Sequence, residues 1–279
     1  MNDGSDAIYT GGMPLPPAHE PSRLAKLLGP WHRVLLDVIY PRACRVCDQA
    51  LAADSPGASL EEWLCPSCHG ELQRLEPPFC KVCGEAYDGA ITGEFRCSNC
   101  ADRKFAFEFA VAGFRAEGAV RELIHQFKYG RDLSLRAVLG LLLRQALEDP
   151  RLESEELAEW VLVPVPLHRT KEADRGFNQS RELCQQLARH TGIPTVDCLA
   201  RVRDTGSQAS LHRNERLKNL KKAFAMRRSL FRKSPDVKGA KVLLVDDVLT
   251  TGSTTHECAR VLKRDGGVEK VVVITVARG

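Results

Sequence analysis

The segment Val242–Thr254, VLLVDDVLTTGST, combines residue types that suit a sugar phosphate. Four apolar residues read as a buried strand, two adjacent carboxylates follow at its end, and Thr250-Thr251-Gly252-Ser253-Thr254 opens a helix. Backbone N–H groups of a glycine-containing turn at a helix N-terminus form an anion site, and the hydroxyls of Thr250, Thr251, Ser253 and Thr254 add donors. Gly252 lets the backbone come close to a phosphate. Ionised Asp246 and Asp247 are pure acceptors and suit the two hydroxyls of a ribose. Side by side they also suit Mg²⁺, and they repel each other unless something positive pairs with them. The bland alternative is a strand followed by a capped turn. Neither GxxxxGK[ST] nor GxGxxG is present, so the segment is not a Walker or dinucleotide loop.

A second set consists of cysteines. Eight of the 11 fall into four C-x-x-C pairs, Cys44/Cys47, Cys65/Cys68, Cys80/Cys83 and Cys97/Cys100. In a reducing compartment this spacing points to metal rather than disulfides. Thiolates in fours select tetrahedral Zn²⁺, and a site with four protein ligands has no open position for chemistry, so both metals are expected to be structural. Successive pairs give two Cys₄ sites; interleaved pairing, an iron–sulfur cluster, or His69 as a substitute ligand are the alternatives. Cys184, Cys198 and Cys258 lie in helix or strand patterns and read as core, against a nucleophilic cysteine with a histidine partner.

A third set is basic. In Trp160–Cys184, WVLVPVPLHRTKEADRGFNQSRELC, a strand leads into Arg169, Lys171 and Arg175 on a loop, Gly176 allows a turn, and Asn178 caps the next helix. Arginine suits bidentate phosphate contacts and lysine acts as a point charge; a merely solvated loop is the alternative. Residues 201–241 hold 13 Lys/Arg against three Asp/Glu, which is +10 within a chain of +4 overall. Such a block implies an anionic partner, a phosphorylated small molecule or nucleic acid, or else a solvated helix face.

Val242–Thr254 resembles, across all thirteen positions, the 5-phosphoribosyl-1-pyrophosphate (PRPP) motif of type I phosphoribosyltransferases. Together with Ala110–Tyr129 (AVAGFRAEGAVRELIHQFKY), VPVPLHR…RGFNQSREL, Gln208–Phe224 (QASLHRNERLKNLKKAF) and the four cysteine pairs, it makes Cys44–Gly279 similar to the ComF family of competence proteins, which includes ComFC and GntX-type members. The resemblance implies a type I phosphoribosyltransferase fold behind a double zinc ribbon, with PRPP on Val242–Thr254, pyrophosphate near Pro164–Gln179, and a mobile loop at Thr205–Asn219. It also implies transfer of a phosphoribosyl group with release of pyrophosphate. Asp246 and Asp247 would then orient the ribose and relay a proton, while Mg²⁺, Arg169, Lys171 and Arg175 stabilise the leaving group. Lys128, in HQFKYGRD, belongs to the family pattern and either reaches a phosphate or ends a surface helix.

The elements that must position these groups alternate between strand and helix. Strands are expected at Ala110–Arg115, Trp160–Pro166, Ile193–Asp197, Lys241–Val245 and Val271–Val276, and helices across residues 120–127 (after a turn at Glu117–Gly118), 133–147, 178–190 and 253–264. This order predicts an α/β domain, a mostly parallel sheet flanked by helices that binds ligands beyond the carboxyl ends of its strands. It is expected over residues 105–279, after a helix and zinc-ribbon module at 23–104 and a disordered extension at 1–22. No apolar run has the roughly 18 residues of a membrane helix, and no secretory signal is evident, so a cytoplasmic protein is expected. Three functions fit: a phosphoribosyltransferase, a competence factor that handles single-stranded DNA alongside DNA-processing proteins, and a PRPP sensor without turnover. Aromatic platforms for stacking bases are scarce near the basic block.

Overall fold

The computed structural model describes residues 42–51, 59–87, 89, 91, 93, 95–204, 222–227 and 236–279. The extension at 1–22, the helix expected to open the module at 23–104 and the loop Thr205–Asn219 lie outside them, as does most of the basic block. Residues Ala43–Gly279 form one compact unit that includes both the cysteine-rich segment and the α/β domain.

Four strands make a wholly parallel sheet: β1 (Ala110–Arg115), β2 (Trp160–Pro164), β5 (Lys241–Leu249) and β6 (Lys270–Arg278), in the order β1-β6-β5-β2. Beyond β2, Thr195 pairs with Leu162 through a single parallel bridge, so the strand expected at Ile193–Asp197 is reduced to its bonding edge. The apolar runs of β5 and β6 are continuous because both faces are buried. Leu243, Val245, Val272, Ile274 and Val276 pack on one side, and Val242, Leu244, Val271 and Val273 on the other.

The first side is covered by α2 (Gly118–His125), α3 (Arg136–Gln145) and α5 (Gln179–Thr191), which contribute Leu123, Leu139, Leu142, Leu183 and Leu187 at helical spacing. The second is covered by α6 (Ser253–Gly266), through Cys258, Val261 and Leu262, and by the antiparallel pair β3 (Leu199–Arg201) and β4 (Phe224–Met226). Cys44, Cys65 and Cys68, with the short helix α1 (Pro66–Gly70), join the first core, and Cys80, Cys83 and Cys100 the second. Each cysteine cluster therefore packs into an α/β core.

Two local expectations are corrected. The strand expected to stop at Val245 continues through both carboxylates to Leu249, because β6 runs on to Arg278 and pairs with it: Asp246 lies opposite Thr275, and Leu249 opposite Arg278. The basic segment after β2 is not an open loop but a short helix, α4 (Arg169–Arg175). Gly176 closes it in the left-handed conformation at φ 89° and donates to the Glu172 carbonyl, an ending that glycine makes without strain.

Candidate functional site

Asp246 and Asp247 stand near the carboxyl end of β5, the end where parallel sheets bind ligands. Asp246 Oδ1 accepts from the Ser180 hydroxyl at 3.1 Å and from the Asp247 N–H at 3.0 Å. Asp247 Oδ1 accepts from the Val248 N–H at 2.7 Å, and its Oδ2 lies 2.9 Å from Lys128 Nζ. The Lys128 and Asp247 side chains are 21% and 7% exposed, so this pair is largely withdrawn from water. Lys128 is thus the positive partner that two adjacent carboxylates require.

Lys128 reaches Asp247 because α2 passes into a wider π turn, Gln126–Gly130, with Phe127 buried and Arg131 left-handed at φ 57°. The surface helix end weighed as an alternative for Lys128 is therefore set aside. Burial, and then the Asp247 charge, push the Asp246 carboxyl up to about 7. Burial alone would lower the Lys128 pKa, but the Asp247 charge and hydrogen bond outweigh it, and the net shift is upward. At neutral pH Lys128 is a cation, and Asp246 stands where it can gain or lose a proton.

Next to the carboxylates, residues 250–255 with Asp246 enclose a small hollow of about 60 Å³. Gly252 caps α6 at φ 70°, and a Cβ there would stand 3.0 Å from Phe105. The Thr251 and Ser253 hydroxyls are 2.9 Å apart, and the Thr255 hydroxyl donates to the Gly252 carbonyl at 3.2 Å. The hollow thus gathers hydroxyls and a helix N-terminus, the arrangement expected for a phosphate.

On the other side of the carboxylates lies a cleft of about 200 Å³ lined by Lys128, Tyr129, Lys171, Arg175, Ser180, Arg201 and Thr254 together with Asp246 and Asp247. Asn178 builds its floor: its side-chain oxygen accepts from the Ser180 N–H, and its amide donates to the Val165 carbonyl. Tyr129 is 68% exposed at the rim, with the Arg175 guanidinium 5.6 Å from its ring centre. Of the three basic residues singled out from the sequence, Lys171 and Arg175 face this cleft. Arg169 lines a neighbouring cavity of about 600 Å³ instead, beside Glu172, Arg181, Asp197 and Arg227. The cleft residues that the sequence did not single out are Ser180 and Arg201, while Tyr129 stood with Lys128 in HQFKYGRD without a role.

The eight paired cysteines form two groups, Cys44/Cys47/Cys65/Cys68 and Cys80/Cys83/Cys97/Cys100, with ligand atoms within 4.8 Å of one another in each. Pairing is therefore sequential rather than interleaved, and His69 belongs to neither group. Four convergent thiols fit a tetrahedral zinc ion and leave it closed. Cys184, Cys198 and Cys258 are fully buried. Burial raises the thiols of Cys184 and Cys258 well above the ordinary range and pushes Cys198 up to about 12, so these three are core residues, not nucleophiles.

The family model of the phosphoribosyl transferase domain matches residues 174–279, and that of the double zinc ribbon domain matches residues 35–102. "DNA utilization protein YhgH" of Salmonella typhimurium is 33% identical over 229 residues, spanning 81% of this chain and 92% of its own. "Competence protein F" of Haemophilus influenzae is 31% identical over 217 residues, 77% of this chain and 90% of its own. "Competence protein ComFC" of Bacillus subtilis is 23% identical over 256 residues, covering 86% and 96%. Among solved structures, an orotate phosphoribosyltransferase from Aeropyrum pernix aligns with 20% identity over 57% of this chain and 76% of its own, at a TM-score of 0.30. That score is too low to carry the fold assignment, which rests on the parallel sheet, the two family models and the cysteine clusters. No helix among the described residues is long and apolar enough to cross a membrane.

Proposed function

The chain belongs to the ComF family of competence proteins, and from that membership we propose that it binds PRPP at the carboxyl end of β5 and transfers its phosphoribosyl group with release of pyrophosphate. One observation carries the reading: Asp246 and Asp247, balanced by Lys128, stand between a hydroxyl-rich loop at a helix start and a cleft holding Lys171 and Arg175. This is a double-ended site, with acceptors for ribose hydroxyls in the middle and anion donors on either side.

In this assignment Thr250, Thr251, Gly252, Ser253 and Thr254 hold the 5-phosphate, and Asp246 and Asp247 accept from the ribose hydroxyls. Lys171 and Arg175 receive the pyrophosphate, while Arg169, at the start of the same helix, lines the neighbouring cavity. Mg²⁺ bound with the pyrophosphate would supply further neutralising charge, and the carboxylate oxygens of Asp246 and Asp247 are donors it accepts. As the C1–O bond breaks, positive charge develops on the ribose next to two carboxylates, and negative charge on the departing group next to two cations. Asp246, with its carboxyl near neutrality, is placed to take the proton of the incoming nucleophile. A cytoplasmic setting, where the zinc thiolates stay reduced, fits this chemistry.

Titration calorimetry with PRPP and Mg²⁺, followed by pyrophosphate release with candidate acceptors, tests the proposal. Binding with release, both lost in Asp247→Asn, supports transfer. Binding without release under any acceptor supports a sensor, and the absence of PRPP binding sinks both.

A second reading, a competence factor that handles single-stranded DNA, is favoured by the +10 stretch at 201–241 and by the relatives named for competence and DNA utilization. It requires steeply salt-dependent binding of single strands that weakens when charge is removed across Arg213–Lys222.

A further inference from the structure

Two arginines link the loop Thr250–Thr254 to the neighbourhood of the second cysteine cluster. Arg278, buried at the end of β6, donates to the Leu249 carbonyl at 3.0 Å, reaches Cys83 Sγ at 3.6 Å and pairs with Glu85. Arg103, three residues beyond Cys100, donates to the Thr251 carbonyl at 2.9 Å and lies over the Phe105 ring. Phe105 in turn backs Gly252, and the Ala106 N–H donates to His256 Nδ1 at 3.0 Å in the first turn of α6. None of these side chains lines the cleft or the hollow.

A trans peptide points its carbonyl and the following N–H in opposite directions. Fixing the Leu249 and Thr251 carbonyls from the ribbon side therefore turns the Thr250 and Gly252 N–H groups the other way. A loop ordered before its ligand arrives also avoids the entropic cost of ordering on binding.

We infer that Arg103 and Arg278 are positioning residues, tying the phosphate loop to the Cys80–Cys100 ribbon so that this ribbon sets the loop's affinity for the 5-phosphate end of the ligand. The choice of PRPP as ligand rests on the function proposed above; the tie itself does not.

Because Arg278 is buried and its loss endangers folding, Arg103 carries the test. Full-length protein and the variants Arg103→Ala, Arg103→Lys and Arg45→Ala are compared for zinc content, for backbone hydrogen exchange across Thr250–Thr254 without ligand, and for affinity toward PRPP with Mg²⁺ and toward inorganic pyrophosphate alone. Arg45, on the first ribbon, makes a cation–π contact with Trp63 and is the control.

Arg103→Ala should keep its zinc, exchange faster at the loop and bind PRPP roughly tenfold more weakly, the scale of one lost hydrogen bond, with pyrophosphate affinity unchanged. Arg103→Lys, which keeps a donor, should recover most of the loss, and Arg45→Ala should match the parent. Parent-like exchange at the loop in Arg103→Ala, or equal loss of affinity for PRPP and pyrophosphate, overturns the inference. If the parent binds no PRPP, the proposed function fails, while the exchange measurement still decides the role of Arg103.

Discussion

Replacing Lys128 by methionine removes the cation that makes two adjacent carboxylates, Asp247 buried and Asp246 half-buried, tolerable while keeping the packing of the stem. The Lys128–Asp247 pair, 2.9 Å apart and largely out of water, belongs to the class in which deleting one partner strands the other charge. The expected cost is about 3 kcal/mol or more, which for a folded unit of this size lowers Tm by roughly 6–12 °C.

The pH dependence gives the sharper test. Without Lys128 the folded-state pKa of Asp246 rises further, because the cation that opposes its burial is gone, so the penalty is full at pH 8, where the carboxylates must carry their charge unbalanced. It shrinks toward pH 5, where a proton replaces the lost cation. Thermal melts of parent, Lys128→Met, Asp247→Asn and the double variant, at pH 5 and pH 8, read this directly. The double variant should regain much of the loss at pH 8, because neither unpaired charge remains. A Lys128→Met protein within about 0.5 kcal/mol of the parent at pH 8, the range of an ordinary surface substitution, or a gap that widens toward pH 5, would refute the account of the pair.

Other perturbations separate the remaining parts of the site. Asp246 has a folded-state carboxyl raised to about 7 from 3.8, so through this group the free protein loses stability as pH rises across that window. PRPP affinity should move the opposite way and strengthen as pH climbs through 7, since the ionised form accepts from the ribose; calorimetry at pH 6 and 8 measures it. Gly252→Ala adds a Cβ at φ 70°, 3.0 Å from Phe105; a non-glycine left-handed residue costs roughly 1–2 kcal/mol, so weaker PRPP binding is expected, and unchanged affinity would count against a close-approach loop. Arg175→Ala should weaken binding of inorganic pyrophosphate more than Arg169→Ala, because Arg175 lines the cleft with the carboxylates and Arg169 does not. Native mass spectrometry should find two zinc ions per chain, and stripping them with a chelator should lower Tm, because both clusters contribute cysteines to the α/β cores.

Much of the architecture was legible because its signals are local. Val242–Leu244 and Val271–Ile274 are continuous apolar runs that only a sheet buried on both faces accommodates, and the C-x-x-C spacing brings thiols together over a few residues. Asn178 as a cap and Gly252 as the turn before α6 are likewise dictated by short-range backbone chemistry. The ends of elements were less legible. β5 runs through Asp246 and Asp247 because β6, its hydrogen-bonded neighbour in the sheet but separate from it in sequence, supplies partners as far as Arg278. The helix α4 forms where charge and polarity alone suggested an open loop.

The residue types of the candidate site, two carboxylates, a hydroxyl-rich glycine turn and clustered thiols, follow from the sequence by itself, because each group is assembled from near neighbours in the chain. Which of the basic residues stand beside those carboxylates was decided only by tertiary structure. Lys128 comes from the turn after α2 to meet Asp247, Ser180 from α5 to meet Asp246, and Arg103 and Arg278 from the second ribbon and the last strand to hold the loop. A charge is felt through space and not along the chain, so the partners that balance Asp246 and Asp247 appear only when parallel strands bring their carboxyl ends to one edge of the sheet.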